Sequence, residues 1–140
     1  VNGMNLFTSQ NMVRVVIYAV SEQDARALEP MLRQAIQSRR QWPLIQSFPG
    51  DFSGFLRYVE GNPYLIMLAA VPGPSGARLV RQIRAVNPDA RLIWLSDREN
   101  ALGAFGEHVT AFGQLPADGD MLEQALDACN VRRRAAGSQG

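Results

Sequence analysis

Lysine is absent from this chain, and cysteine and histidine each occur once. The missing lysine excludes a P-loop and a Schiff base, because both need an ε-ammonium group. The single Cys129 excludes an internal disulfide and a cysteine-rich zinc site, and the single His108 excludes a multi-histidine metal cluster. All 14 basic residues are arginines, and against 13 acidic residues they leave a net charge of +1. This balance argues against a general nucleic-acid binder.

Long apolar runs are also missing. None reaches the roughly 20 residues that a membrane-spanning helix needs. The first residues lack the basic and then apolar pattern of a signal peptide. We therefore expect a cytoplasmic protein without membrane contact. A chain of 140 residues that is 46% hydrophobic suits one compact domain with its own core.

The sequence divides into three regions. Residues 1–11 show no periodicity and form an N-terminal extension, part of which we expect to be non-native because the chain begins with Val1. Residues 12–130 show a regular alternation of elements and form the predicted domain. Residues 131–140 are arginine-rich and then small and polar, which is typical of a frayed, solvated tail.

Five apolar segments within the domain predict strands, and each is followed by a stretch with helical spacing. Ser21 with Asp24, Asp51, and Asp120 with Glu123 predict helix starts. Pro30 should kink the first helix or delay its start, and one helix should run from Asp97 to about Gly106. The predicted strands are 13–20, 44–48, 64–71, 91–96 and 110–115.

This alternation predicts an α/β fold. Strands that alternate with helices form a parallel sheet with helices on both faces. Five such units in this length favour a flavodoxin-like, doubly wound, five-stranded parallel sheet with strand order 2-1-3-4-5.

Two stretches resemble the receiver domain of two-component response regulators. Residues 65–76 pair an apolar strand with a Pro-Gly-x-x-Gly loop, and Asn87-Pro88 precedes the next strand. Residues 101–116, Ala-Leu-Gly-Ala-Phe-Gly-Glu-His-Val-Thr-Ala-Phe-Gly-Gln-Leu-Pro, are similar to receivers that precede LytTR-type DNA-binding domains. The resemblance covers roughly residues 12–130 and implies a CheY-like fold.

The chain departs from this family where the family does its chemistry. Counting back from Pro72-Gly73, the position of the phosphoacceptor aspartate is Leu68, and no acidic residue occurs between Glu60 and Asp89. The two acidic positions that hold Mg²⁺ correspond to about Ala19 and Val20, and the lysine position is Leu115. Without a nucleophile, metal ligands and a cation, phosphoryl transfer has no means to proceed. The resemblance therefore implies a degenerate receiver, or pseudo-receiver.

Two switch-type positions of receivers keep their chemistry. Ser96 supplies the hydroxyl at the end of the fourth strand, and Phe112 supplies the aromatic ring of the fifth. In this chain we expect Ser96 to bond backbone near a helix start and Phe112 to be a core or half-buried ring.

The first functional hypothesis is a phosphorylation-independent signalling module that acts through protein contacts. The resemblance implies a partner or dimer face formed by the fourth helix, fifth strand and fifth helix, about residues 98–129. Candidate anchors on this face are Phe105, Phe112 and Met121. We expect no cofactor, no metal, no catalysis and no direct nucleic-acid contact.

Two alternatives stay open. The domain could be the N-terminal regulatory part of a LytTR-type transcriptional regulator. Less favoured is a small flavodoxin-like enzyme or ligand-binding protein, for example one that binds flavin. The carboxyl ends of the predicted strands offer Ser96 as their one polar side chain, so we do not expect an enzyme.

The remaining polar features have ordinary interpretations. Glu22 and Asp24 suit helix capping better than cation binding. His108 suits a surface position, and Cys129 suits the apolar face of a helix. Arg132, Arg133 and Arg134 favour a solvated tail over a DNA contact.

Overall fold

A computed structural model describes residues 12–135, apart from the side chain of Phe105. The predicted N-terminal extension, residues 1–11, lies outside the described residues. Five parallel strands form one sheet in the order β2-β1-β3-β4-β5, which confirms the predicted flavodoxin-like fold. The strands are β1 (Met12–Ala19), β2 (Trp42–Pro49), β3 (Ile66–Ala70), β4 (Arg91–Ser96) and β5 (Ala111–Gln114).

Helices connect consecutive strands and cover both faces of the sheet. Two buried clusters fill the space between sheet and helices: one lies beneath α1 and α5, and the other lies beneath α2 and α3. All five residues of β3 are buried, as expected for a central parallel strand covered on both sides. The helices are α1 (Glu22–Gln37), α2 (Phe52–Val59), α3 (Gly76–Val86), α4 (Gly103–Gly106) and α5 (Gly119–Ala128).

Helix starts follow the predicted caps at two of three positions. The Ser21 hydroxyl accepts from the Asp24 amide at 3.2 Å, and the Asp51 carboxylate accepts from the Gly54 amide at 3.0 Å. The third prediction is wrong, because Asp118 rather than Asp120 caps α5, accepting from the Met121 amide at 2.8 Å. Asp118 has the extended backbone that a cap requires, whereas Asp120 already lies inside the helix.

The delayed start predicted from Pro30 is also wrong, since α1 begins at Glu22 and runs through Pro30 to Gln37; the predicted kink stays a prediction. Pro30 is exposed to solvent, so its ring lies away from the sheet. The opposite face of the helix buries five apolar residues, and this packing outweighs the lost backbone hydrogen bond. Those residues are Ala25, Leu28, Leu32, Ala35 and Ile36.

The single helix predicted between β4 and β5 is replaced by two short turns. A 3₁₀ turn spans Arg98–Asn100, and α4 is one turn long. Gly103 and Gly106 at both ends of α4 weaken a longer helix. Asn100 uses its side chain to bind backbone and hydroxyl groups nearer the sheet, which holds the 3₁₀ turn in place.

The chain after α5 is anchored rather than frayed through residue 134. Val131 is buried, and its amide donates to the Leu126 carbonyl at 2.9 Å. The Arg132 carbonyl accepts from the Gln41 side chain at 3.0 Å, and the Arg134 amide donates to the Arg39 carbonyl at 2.9 Å. The frayed-tail prediction is therefore wrong for residues 131–134. The domain boundary at residue 130 stays a prediction.

Candidate functional site

The carboxyl end of β1 carries no charged side chain. Ala19 is its last residue and is fully buried, and Val20 follows with 53% of its surface exposed. The Gly50 amide donates to the Ala19 carbonyl at 2.8 Å, so the end of β2 closes over this strand. These two positions, predicted to replace an acidic pair, offer no side-chain oxygen to Mg²⁺. Nowhere in residues 12–135 do three or more His, Cys, Asp or Glu side chains group in a way that would hold a metal ion.

Aromatic rings fill the space next to the end of β1. Tyr18 is buried, with its ring centroid 5.0 Å from that of Phe52 and 5.9 Å from that of Phe55. Burial, and secondarily the negative charge of Asp51, raise the pKa of the Tyr18 phenol. The phenol is therefore neutral at physiological pH and adds no negative charge to this part of the rim.

Leu68 lies in the core rather than at the end of its strand. Its backbone pairs with Ile17 of β1 and Ile93 of β4, and two further residues of β3 follow it. The side chain is fully buried in the cluster beneath α1 and α5. The strand ends at Ala70, and Val71 comes next. Whether the phosphoacceptor position is placed at Leu68 or at the end of the strand, the side chain there carries no nucleophile.

Ser96 is buried at the end of β4 and has two hydrogen-bond partners. Its hydroxyl donates to the Val71 carbonyl at 3.0 Å and accepts from the Asn100 side-chain amide at 2.8 Å. The Trp94 indole also donates to the Val71 carbonyl, at 3.2 Å. Ser96 thus forms the predicted hydrogen bond to backbone, but its partner is the carbonyl that follows the end of β3 rather than a group at a helix start.

Asn100 and Asp97 hold the loop that follows β3. The Asn100 side-chain amide donates to the Gly73 carbonyl at 3.0 Å, and the Gly73 amide donates to the Asp97 carboxylate at 2.7 Å. The other carboxylate oxygen of Asp97 is buried and has no hydrogen-bond partner within the described part of the chain. We call this set the rim clamp; it comprises Val71, Gly73, Ser96, Asp97 and Asn100.

The clamp explains why two glycines occur in the loop. Gly73 has a φ of +86°, which favours glycine. A Cβ atom at Gly76 would come within 2.3 Å of the Val71 carbonyl oxygen, so α3 begins in direct contact with the end of β3. The Pro-Gly-x-x-Gly pattern therefore has a steric reason in this chain that is independent of phosphate binding.

Leu115 and Phe112 occupy the β5 side of the same edge. The Leu115 amide donates to the Ser96 carbonyl at 2.7 Å, and the Leu115 side chain packs against the cluster beneath α1 and α5. The peptide bond from Leu115 to Pro116 is cis. Phe112 is half-buried and meets the Trp94 ring edge to face at 5.5 Å, which agrees with the predicted core or half-buried ring.

The candidate anchors of the partner face do not form one patch with their described side chains. Phe112 packs against the cluster beneath α2 and α3, whereas Met121 packs against the cluster on the other face of the sheet. The side chain of Phe105 lies outside the described part of the chain. Leu102, just before α4, is 87% exposed and was not among the predicted anchors.

Other sequence candidates take structural positions. Glu22 lies 3.7 Å from Arg26 at the solvent-exposed start of α1. His108 has a φ of +57°, and its carbonyl accepts two bonds from Arg84. Cys129 is buried, and burial raises the pKa of its thiol to about 11, against a smaller opposing effect of Arg91. A thiol with this pKa is not a nucleophile at neutral pH.

The fold has clear counterparts among solved structures, although no family model and no curated protein sequence matches the chain. A receiver domain of a response regulator from Clostridium thermocellum is 17% identical with a TM-score of 0.61, covering 84% of this chain and 94% of that one. The receiver domain of the response regulator AraT from Geobacillus stearothermophilus is 15% identical with a TM-score of 0.60, covering 84% and 93%.

A pilus assembly-related protein from Burkholderia pseudomallei is 12% identical with a TM-score of 0.67, covering 91% of this chain and 97% of that one. At these identities the likeness shows the fold alone. The chain has the receiver-domain fold of response regulators, and none of the helices within residues 12–135 has the length and apolar character needed to cross a bilayer.

Proposed function

We propose that this domain is a pseudo-receiver: a signalling module that acts through protein contacts and takes no phosphoryl group. The observation that carries the proposal is the apolar character of the positions expected to hold charged groups: Ala19, Val20 and Leu115 lie at the rim, and Leu68 lies in the core below it. Phosphoryl transfer to a protein depends on a nucleophile, a metal ion and cationic stabilisation. The rim residues supply none of the three, and we expect no enzymatic activity and no cofactor at this edge.

The rim clamp supports a fixed state rather than a two-state switch. The Ser96 hydroxyl already donates to one group and accepts from another, so it is not free to reach for a new anion. Asn100 and Asp97 tie the loop after β3 to the segment after β4. A conformational switch needs an element with two arrangements of similar free energy, and these bonds favour one.

The signal would then be carried by the shape of the surface. We propose that the face from about residue 98 to 129 contacts a protein partner or a second copy of the chain. Leu102 supports this because a large, 87% exposed apolar side chain stands beside α4, on the predicted face. The cellular setting we propose is the cytoplasm.

We propose two alternative cellular roles for the same pseudo-receiver domain. The resemblance of residues 101–116 to LytTR-linked receivers favours an N-terminal regulatory domain of a transcriptional regulator. The length of the native reading frame tests this, since a DNA-binding domain would have to follow. The TM-score of 0.67 to a pilus assembly-related protein favours a role in pilus assembly instead. A pilus defect after deletion of the gene, with transcription of pilus genes unchanged, would favour that second context.

The proposal is tested by incubating the protein with acetyl phosphate and Mg²⁺ and measuring its intact mass and sedimentation coefficient. We expect neither to change. The matched control is Ser96→Ala, which removes the hydroxyl that could accept a phosphoryl group at the rim. A mass increase of one phosphoryl group in the native protein, lost in this variant or mapped to the end of β3, would overturn the proposal.

A further inference from the structure

The opposite end of the sheet has a notch, because β3 starts late. Its first residue, Ile66, pairs with Val15, so the pairing of β1 with β3 begins three residues after β1 itself begins at Met12. On its other side β1 pairs with β2 along its whole length. The notch forms a cavity of about 720 Å³. This volume lies within the range of sites for small molecules.

The cavity is lined by three arginines and no acidic residue. Arg14 comes from β1, Arg91 from the start of β4, and Arg132 from the segment that follows α5. Among residues 12–135, no carboxylate lies within 4 Å of any of these three guanidinium groups. By contrast, Arg39 pairs with both Glu123 and Asp127.

Most of the hydrogen-bond donors of these arginines remain available. Arg14 donates to the Tyr58 hydroxyl at 3.4 Å, and Arg91 donates to the Cys129 carbonyl at 2.7 Å. Each guanidinium carries five N–H donors, so these contacts position the side chains without saturating them. The Arg14 guanidinium reaches Tyr58 on the α2/α3 face of the sheet, whereas the Arg91 guanidinium reaches Cys129 on the α1/α5 face. An anion site in the notch is therefore formed by Arg91 together with Arg132, which follows Val131 of the cluster beneath α1 and α5.

The use of arginine rather than lysine indicates which class of anion the cavity would bind. Arginine presents paired N–H groups in one plane, which match the oxygens of a phosphate better than lysine does. The cavity also has Tyr64 in its lining, with 80% of its surface exposed. An exposed aromatic ring beside a phosphate site suits the flat base of a nucleotide, because stacking covers both surfaces.

We propose that this notch binds a nucleotide, with its phosphates held by Arg91 and Arg132 and its base stacked on Tyr64. The proposal goes beyond the pseudo-receiver function and is independent of it, since the cavity lies at the opposite edge of the sheet from the rim clamp. It assigns a bound ligand, and no catalytic step, to the amino end of the sheet.

The test is isothermal titration calorimetry of the full chain with ADP and, separately, with inorganic pyrophosphate. We expect ADP to bind, and Arg132→Gln to weaken it by about tenfold, the effect of losing one charged hydrogen bond, whereas Arg14→Gln should weaken it less. Arg132 is exposed and uses only its backbone carbonyl to hold Gln41, so its substitution leaves the fold intact. Tyr64→Ala should weaken ADP but leave pyrophosphate unchanged.

The matched control is Arg78→Gln, an exposed arginine of α3 that does not line the cavity. It should bind ADP as the native protein does. Absence of ADP binding at millimolar concentration would overturn the proposal, as would equal loss of binding in Arg78→Gln and Arg132→Gln. Binding of a single-stranded oligonucleotide without binding of ADP would overturn the assignment to a small molecule.

Discussion

The two ends of the sheet are stabilised by different interactions: mainly hydrogen bonds at the carboxyl end and buried ion pairs near the amino end. At the carboxyl end, the rim clamp joins two loops through hydrogen bonds from a hydroxyl, an amide side chain and backbone groups, with Asp97 as its one charged member. Near the amino end, Arg39 is buried with none of its side chain exposed and forms ion pairs with Glu123 at 2.7 Å and Asp127 at 2.9 Å. Charge therefore stabilises the end opposite the one where a receiver would place its reactive groups.

The Arg39 contacts join three parts of the chain. Its guanidinium also donates to the carbonyls of Val131 at 2.7 Å and Glu123 at 2.9 Å. The end of α1 is thereby tied to α5 and to the segment that follows it. The buried ion pairs thus lie at the amino end, where they join α1 to α5, whereas the carboxyl edge is held mainly by neutral groups, with Asp97 as the exception.

The largest effect is expected from Leu68→Asp. A carboxylate in the middle of β3 would be buried without a partner, so the free energy of unfolding should fall by about 4 kcal/mol or more. Chemical denaturation measures this, and Leu68→Met, which conserves volume, should cost less than about 1.5 kcal/mol. Native stability in Leu68→Asp would show that this position reaches water and that the core around the middle of β3 is open.

Arg39→Ala should lower the free energy of unfolding by about 3 kcal/mol, because the Val131 and Glu123 carbonyls lose their donor and the Glu123 carboxylate keeps only Arg133 as a cationic partner. The matched control is Arg26→Ala, whose pair with Glu22 is solvent-exposed and should contribute less than about 1 kcal/mol. Equal effects of the two substitutions would remove the energetic distinction between the two ends of the sheet.

Alkaline pH should weaken the amino end through Cys129. Burial raises the pKa of its thiol to about 11 from an ordinary 9.0, so the folded state holds its proton more tightly than the unfolded state. The resulting stability is complete below pH 9 and is lost as pH rises towards 11, by about 2 kcal/mol. This is tested by measuring the free energy of unfolding of the native protein and of Cys129→Ala as a function of pH. The two pH dependences should be parallel below pH 9 and should diverge above it.

Near the carboxyl end, the pH dependence of the free energy of unfolding of the native protein can be compared in the same way with that of Tyr18→Phe. The raised pKa of Tyr18 has the same sign, so its contribution is present below pH 10 and is lost above it. A native protein whose stability is unchanged between pH 9 and 11 would contradict both assignments of burial.

The smallest effect is expected from Asn100→Ala, which removes two hydrogen bonds of the rim clamp. We expect a loss of about 1 kcal/mol and faster hydrogen exchange at the Gly73 amide. Glu99→Ala, an exposed neighbour in the same 3₁₀ turn, should change neither. Unchanged exchange at Gly73 in Asn100→Ala would show that the loop is held without this contact.

The sequence predicted the sheet because most of its strand residues are apolar, and β3 in particular has no polar residue between Ile66 and Ala70. Strand order followed from the number of units and the length of the chain. The lack of charge at Ala19, Val20 and Leu115 was also predictable, because the charge of a side chain follows directly from the residue type.

The contacts of the site were not predictable in the same way. Asn100 lies four residues after Ser96, which suggests proximity only if the segment is helical, but the bond to Gly73 joins residues 27 apart. Arg39 looked like one of many surface arginines, and its burial depends on Glu123, 84 residues away. The break after Asn100 was missed because the glycines around α4 count against a long helix only weakly.

The most direct test of the central claim is an amide NMR spectrum of the protein before and after addition of beryllofluoride and Mg²⁺. Beryllofluoride mimics a phosphoryl group on a carboxylate, and the rim has no acceptor carboxylate at the end of β3. We predict superimposable spectra, including the amides of Gly73, Ser96 and Asn100. Specific shifts at the end of β3 and in the rim clamp would contradict it.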